Sequence, residues 1–93
     1  MEREDDVQLI HRILSGDDEA FNILVRKHQK SVHALVWQKI DDFHHAEEIT
    51  QDIFLQAYKK LSTLKNPNQF TGWLYAIANR LCIDWMRKQK PAT

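Results

Sequence analysis

The sequence predicts an all-α fold, a compact bundle of about four helices. Two observations support this prediction. Apolar residues recur at helical spacing along most of the chain, and only two glycines and two prolines are available among the 93 residues to form turns. A chain of this length suffices for one hydrophobic core. We therefore expect one domain in residues 1–90, with residues 91–93 as the start of a linker or the end of a fragment.

The first two helices are recognised by their periodicity and their ends. The first is predicted over residues 4–14, and Ser15-Gly16 ends it. Asp17 then caps a second helix, whose apolar residues keep a helical rhythm up to a short break at residues 41–43. The apolar stripe of the first helix consists of Val7, Ile10, Ile13 and Leu14.

The second half of the chain contains two more helices around one loop. The third helix is predicted over residues 45–61, and the fourth runs from residue 68 or 69 to residue 89. Between them lies TLKNPNQ, at 63–69, where Pro67 disfavours a helical residue before it and the asparagines tolerate turns. Pro91 then stops the fourth helix.

The two halves of the chain differ sharply in charge, although the formal net charge is zero. Residues 1–52 carry 12 acids and 6 bases, whereas residues 53–93 carry 1 acid and 7 bases. Such an asymmetry indicates two different surfaces. The basic half suits a polyanion. The acidic half suits a basic protein or is simply solvated.

Composition also bears on the cellular setting. No apolar run approaches membrane-spanning length, and the first residues, MEREDDVQ, are acidic and unlike an export signal. We therefore expect no membrane insertion. The single cysteine, Cys82, has no partner in the chain for a disulfide, which favours the reducing cytoplasm.

The fourth helix is predicted to have two unlike faces. At about 100° per residue, Trp85 falls in the apolar stripe, whereas Trp73 falls among cations. An aromatic ring beside cations is typical of single-stranded nucleic-acid binding, because cations neutralise phosphates while bases stack on rings. The alternative is that Trp73 is a packing residue and that Arg80 pairs locally with Asp84. The predicted core stripe is Phe70, Leu74, Ala78, Leu81 and Trp85, and the second stripe is Trp73, Ala76, Arg80, Asp84 and Arg87, with Lys88 beside it.

The third helix carries an acidic stripe opposite its apolar face. Glu48, Asp52 and Leu55 share this stripe, and a leucine among acids favours a protein contact, although a single exposed leucine is also ordinary. His44, His45 and Glu48 are the only candidates for a metal site, and their spacing matches no common motif. Since no nucleophile-base constellation or glycine-rich phosphate loop is found, we expect no enzyme, no cofactor and no metal.

Three motifs together resemble a known family. GDxxAFxxL at residues 16–24 is similar to the opening of the extracytoplasmic-function (ECF) sigma factors of bacterial RNA polymerase. AEEIxQDxFxxAY at 46–58 resembles their polymerase-binding helix. FxxWLYxIA at 70–78, followed by DxxRK at 84–88, resembles their helix for promoter melting and minus-ten recognition. The motifs occur in the family's order and cover nearly the whole chain.

The resemblance implies that this is the region-two domain of a sigma factor. Such a domain binds a coiled coil of the largest subunit of core RNA polymerase, and recognises and melts the minus-ten promoter element through the non-template strand. It further implies an anti-sigma factor as a partner, and a C-terminal helix-turn-helix domain outside this chain. The polymerase-binding candidates are Glu47, Glu48, Gln51, Asp52 and Leu55. The DNA-binding candidates are Lys65, Asn66, Asn68, Gln69, Trp73, Asn79, Arg80, Arg87 and Lys88.

Two positions depart from the family pattern. Ala76 stands where the family often has arginine, which implies one fewer phosphate contact. Arg80 stands where the family usually has asparagine, and Asn79 lies one place earlier. Two other functions remain open from the residues alone: a helical adaptor whose two charged surfaces both bind proteins, and a metal-dependent helical hydrolase.

Overall fold

Four α-helices joined by short connections make up the part of the protein that the structure describes, which is residues 5–89 of a computed structural model. No β-strand occurs among these residues, so the predicted all-α fold of four helices is confirmed. The helices are α1 (Asp6–Leu14), α2 (Asp18–Ile40), α3 (Phe43–Lys60) and α4 (Phe70–Gln89), with two 3-10 turns, Leu61–Thr63 and Pro67–Gln69, between α3 and α4. The predicted helix start at Glu4, the stop at Pro91 and the linker at residues 91–93 lie outside the described residues.

Aspartates cap the first three helices. Asp5 forms a capping box with Gln8, in which each backbone N–H donates to the other side chain at 3.0 and 2.9 Å. The predicted cap at Asp17 is confirmed, since its carboxylate accepts from the backbone N–H of Glu19 at 3.1 Å. The predicted start of α3 at residue 45 is two residues late, because Asp42 caps this helix and accepts from the N–H of His45 at 3.2 Å.

The core lies where α2, α3 and α4 meet, and α1 packs across α2 and the second 3-10 turn. In α1 the buried stripe contains Leu9 instead of the predicted Leu14, which is exposed because it ends the helix. The buried apolar residues are Leu9, Ile10, Ile13, Ala20, Leu24, Val32, Val36, Ile40, Ala46, Ile49, Ile53, Phe54, Ala57, Leu61, Phe70, Leu74, Ile77, Ala78 and Cys82.

The buried face of α4 is broader than predicted at its edges. Ile77 and Cys82 are buried on the two sides of the predicted stripe, whereas Leu81 and Trp85 are only half-buried. Trp85 packs against the ring of His45 at the beginning of α3, with 5.0 Å between ring centroids. α4 therefore packs against both α2 and α3, and this packing fixes which of its faces points to solvent.

Candidate functional site

The solvent face of α4 combines cations with polar and apolar residues. It differs from the predicted second stripe, since the broad core face moves Trp73 to the border and brings Ile83 to the centre. The side chain of Ile83 is 45% exposed, and sequence analysis missed it because a lone isoleucine gives no functional signal. The exposed face consists of Ala76, Asn79, Arg80, Ile83 and Arg87.

The cations on this face have no partners within residues 5–89. The side chains of Arg80 and Arg87, and that of Lys88 in the last turn of α4, form neither an ion pair nor a hydrogen bond with any described residue. The local Arg80–Asp84 pair that the spacing allows is therefore not formed. Both guanidinium groups are free to bind an external anion such as a phosphate.

Trp73 packs on the core, as its packing interpretation predicts, and also keeps part of its surface exposed. One side of its ring packs on Phe70, with centroids 5.9 Å apart and planes tilted by 39°. Phe70 is buried in the core, whereas Trp73 is only half-buried. The indole is therefore fixed by the core and still presents surface to solvent, as a stacking platform must.

A cavity of about 560 Å³ lies between the loop and the beginning of α4. This volume is within the range of about 300–1,000 Å³ that is usual for small-molecule sites. Three predicted site residues meet here: Lys65, Gln69 and Trp73. The complete lining is Thr63, Leu64, Lys65, Gln69, Gly72 and Trp73.

The two asparagines of the loop do not join this cavity. The side chain of Asn66 accepts the backbone N–H of Asn68 at 3.0 Å and caps the second 3-10 turn. Asn68 lines a smaller cavity, of about 300 Å³, on the side of α1. The structure therefore gives Asn66 a local capping role, and the assignment of both residues to DNA stays a prediction.

The outer face of α3 presents all five predicted polymerase-binding residues to solvent. Leu55 is 52% exposed, at the end of a stripe that is otherwise acidic or polar. The carboxylates on this stripe form no ion pair with any other residue among 5–89. The exposed set is Glu47, Glu48, Gln51, Asp52 and Leu55.

α2 contributes a second wall to this face, which sequence analysis missed. A largely apolar groove of about 460 Å³ runs between α2 and α3, and Phe21, Leu55 and Tyr58 are among its lining residues. A second groove, of about 790 Å³, is lined by Arg26, Lys30, His33 and Trp37 of α2 and by Glu47 of α3, among others. Gln51 lines both grooves, so the acidic stripe of α3 is continuous with a mixed apolar and basic face of α2.

An aromatic cluster marks one end of this surface. The ring of Phe43 packs edge-on against the rings of His33 and Trp37, with centroid distances of 5.4 and 5.5 Å. The Nε2 atom of His33 is buried without a hydrogen-bond partner among the described residues. The signal that could have revealed this cluster is the exposed Trp37, which lies outside the apolar rhythm of α2.

Of the two histidines at the beginning of α3, His45 bonds to a neighbouring side chain. The Nδ1 atom of His45 lies 2.9 Å from a carboxylate oxygen of Asp42, and this hydrogen bond lowers the pKa of Asp42. Within residues 5–89, no group of three or more His, Cys, Asp or Glu residues is placed to hold a metal ion. Likewise, none of the helices described is both long and apolar enough to cross a membrane.

Comparison with known proteins identifies one family, whose model covers most of the chain. The family model described as Sigma-70 region 2 matches residues 24–92. The ECF RNA polymerase sigma factor SigW of Bacillus subtilis is 34% identical over 82 residues, which are 88% of this chain and 44% of that protein. The RNA polymerase sigma-H factor of Pseudomonas aeruginosa is 36% identical over 76 residues, covering 82% of this chain and 39% of that protein. The chain thus spans less than half the length of these relatives.

A solved structure agrees with the sequence comparison. An engineered region 2 of sigmaE, determined by NMR in complex with GTAAAA, superposes with a TM-score of 0.86 at 31% identity. The superposition covers 96% of this chain and 93% of that chain. The family match includes the outer face of α3 and the exposed face of α4. On this evidence, the chain belongs to the sigma-70 region 2 family.

Proposed function

We propose that this chain is the region-two domain of an ECF sigma factor and acts in transcription initiation. In this proposal it binds core RNA polymerase in the cytoplasm, and recognises and melts the minus-ten promoter element. The observation that supports it best is the position of the cavity beside Trp73, at the beginning of the helix whose exposed cations have no partner among the described residues. The similar region 2 of sigmaE was solved with the nucleotide sequence GTAAAA.

The DNA-binding step follows from the two halves of α4. Arg80, Arg87 and Lys88 neutralise phosphates along a single strand, which supplies affinity without sequence preference. An unstacked base enters the cavity and stacks on Trp73, and this stacking offsets the few kcal/mol that extrusion costs. Gln69 presents an amide that can both donate to and accept from the base edge, whereas Lys65 can only donate.

The polymerase-binding step uses a different surface, the outer face of α3. The acidic stripe of α3 suits a basic partner, and the exposed Leu55 beside the apolar groove supplies buried contact area at its centre. A coiled coil of the polymerase's largest subunit has the shape to lie along a groove between two helices. An anti-sigma factor that covered the same groove would block this contact.

Two binding measurements test the proposal. The purified chain is mixed with single-stranded oligonucleotides that carry a randomised six-nucleotide centre, and the bound pool is sequenced. We expect enrichment of one motif and weaker binding of the same sequences as duplexes. In parallel, we expect the chain to be retained by immobilised core RNA polymerase. Binding of polymerase without any preference for single-stranded DNA would favour a protein adaptor and contradict the promoter-binding function.

A further inference from the structure

A hydrogen-bonded pair, Asp6 and His28, links α1 to α2 beside Phe70. The Nε2 atom of His28 lies 2.8 Å from one carboxylate oxygen of Asp6, and the Nζ atom of Lys27 lies 2.8 Å from the other. The side chains of His28 and Asp6 are only 12% and 20% exposed. Burial opposes the ionisation of Asp6, but the hydrogen bonds from Lys27 and His28 outweigh it and lower the pKa of this carboxyl group.

The same histidine touches the residue that supports the stacking ring. The ring of His28 packs edge-on against the ring of Phe70, with 5.4 Å between centroids. Phe70 in turn packs on Trp73 at 5.9 Å, and Trp73 forms a wall of the cavity. Three successive contacts therefore connect Asp6 to the candidate base-binding cavity. Phe70 is 1% exposed, so a displacement on its His28 side is transmitted to its close-packed neighbours.

We propose that the Asp6–His28 pair positions the base-binding cavity, by holding Phe70 and thereby fixing the ring of Trp73. In this arrangement α1 contributes to base recognition without touching DNA. Among the described residues, Asp6 and Lys27 are the charged groups that face His28. The carboxylate of Asp6 contacts both Lys27 and His28. The inference depends on the proposed DNA-binding function of the cavity.

A purely structural role for the pair would give a different result. If the pair only tethers α1, its loss lowers the stability of the fold and weakens every oligonucleotide complex alike. If it positions the cavity, its loss affects only the part of the affinity that comes from the inserted base. The two roles are separated by comparing an intact oligonucleotide with one that lacks a single base.

The experiment measures binding of single-stranded oligonucleotides by fluorescence anisotropy. An abasic site is moved along the selected sequence until the position that most weakens the wild-type complex is found. We expect a loss of about fivefold or more there, the size of one stacked base. The variants are Asp6→Ala and His28→Leu, which break the pair, and Asp6→Asn, whose amide oxygen can still accept from His28. The matched control is Glu19→Ala, which breaks the surface pair between Glu19 and Arg26, 3.3 Å apart on α2.

We expect Asp6→Ala and His28→Leu to lower the intact-to-abasic ratio by about threefold or more, as for coupled neighbours. Their affinity for the abasic oligonucleotide should equal that of the wild type, while Asp6→Asn and Glu19→Ala keep the wild-type ratio. Equal weakening of both oligonucleotides, or an unchanged ratio in both breaking variants, would overturn this inference alone. A wild-type chain that binds neither oligonucleotide would overturn the inference together with the proposed function. Asp6→Ala keeps the test valid if His28→Leu does not fold, since it removes the partner that holds His28 but keeps the imidazole ring beside Phe70.

Discussion

The hydroxyl of Tyr58 donates a 2.8 Å hydrogen bond to a carboxylate oxygen of Asp18. This bond joins the last turn of α3 to the first turn of α2, and the ring of Phe21 packs edge-on against Tyr58 at 4.9 Å. All three residues line the apolar groove between the two helices. The groove is therefore held by a polar bond and a ring contact as well as by the core beneath it.

The first prediction concerns the ionisation of Tyr58. The hydrogen bond to Asp18 raises the pKa of the Tyr58 phenol above its ordinary value, because the carboxylate favours the neutral form. A raised pKa in the folded state means that the bond stabilises the fold below pH about 10 and ceases to do so as the pH rises through the raised value. Absorbance titration of the wild type minus Tyr58→Phe should give a midpoint above about 10. Asp18→Asn should lower this midpoint, and an unchanged midpoint would contradict the assignment.

The second prediction concerns polymerase binding. Asp52→Lys or Glu48→Lys should weaken association with core RNA polymerase about tenfold or more, because a reversed charge in a complementary contact costs several kcal/mol. The measurement is a pull-down titration, with helicity followed by circular dichroism. Asp84→Lys is the matched control, since it makes the same charge change on α4. If Asp52→Lys and Glu48→Lys bind core RNA polymerase no more weakly than Asp84→Lys does, the acidic stripe of α3 is solvated and not part of the interface.

The third prediction concerns the cations of α4. Arg80→Gln or Arg87→Gln should weaken binding to every single-stranded sequence and reduce the slope of log affinity against log salt by about 0.7 per lost contact. Titrations at several salt concentrations measure this slope. Arg26→Gln removes the same charge from α2 and should leave the slope unchanged. A loss limited to one DNA sequence would instead indicate that the arginine reads a base.

The fourth prediction concerns base choice. Exchange of residues 65–69 for a loop of another sequence should change which minus-ten base is preferred, while overall single-strand affinity falls much less. The structure sharpens this expectation: Gln69→Ala should alter the preference, because Gln69 lines the cavity, whereas Asn68→Ala should not. The measurement is transcription by the full-length factor from promoters varied one base at a time. An equal loss of transcription from every promoter would show that the loop only connects α3 to α4.

Much of the fold could be predicted from periodicity and end signals. The rhythm of apolar residues predicted four helices, Asp17 predicted a cap, and the resemblance to ECF sigma region two is confirmed by the comparisons. Periodicity gives the faces of each helix, but it does not say which helices lie side by side. The contribution of Trp37 to the α2–α3 grooves could not be predicted for that reason.

Side-chain partners were predicted less well than faces. The Arg80–Asp84 pair was suggested by spacing alone, yet it does not form among the described residues, because two exposed side chains gain little from pairing in water. The Asp6–His28 pair does form across 22 positions, and no local pattern reveals such a contact. Asn66 was assigned to the base-reading group from its chemistry, and this assignment stays a prediction. No local pattern separated it from the capping role of its Oδ1 atom, which accepts the backbone N–H of Asn68.

Gly72 is a position on the cavity wall where a side chain can be added without a clash. It lies on the cavity wall, and no heavy atom stands within 4 Å of the place that a Cβ atom would occupy there. Alanine can therefore occupy this place on the cavity wall without displacing a neighbouring atom, and it would favour the helix by about 1 kcal/mol. Under the proposed function, a substitution at Gly72 changes the room for a base in the cavity while the core stays the same. In that proposal, promoter choice is open to change through one residue that the fold does not need.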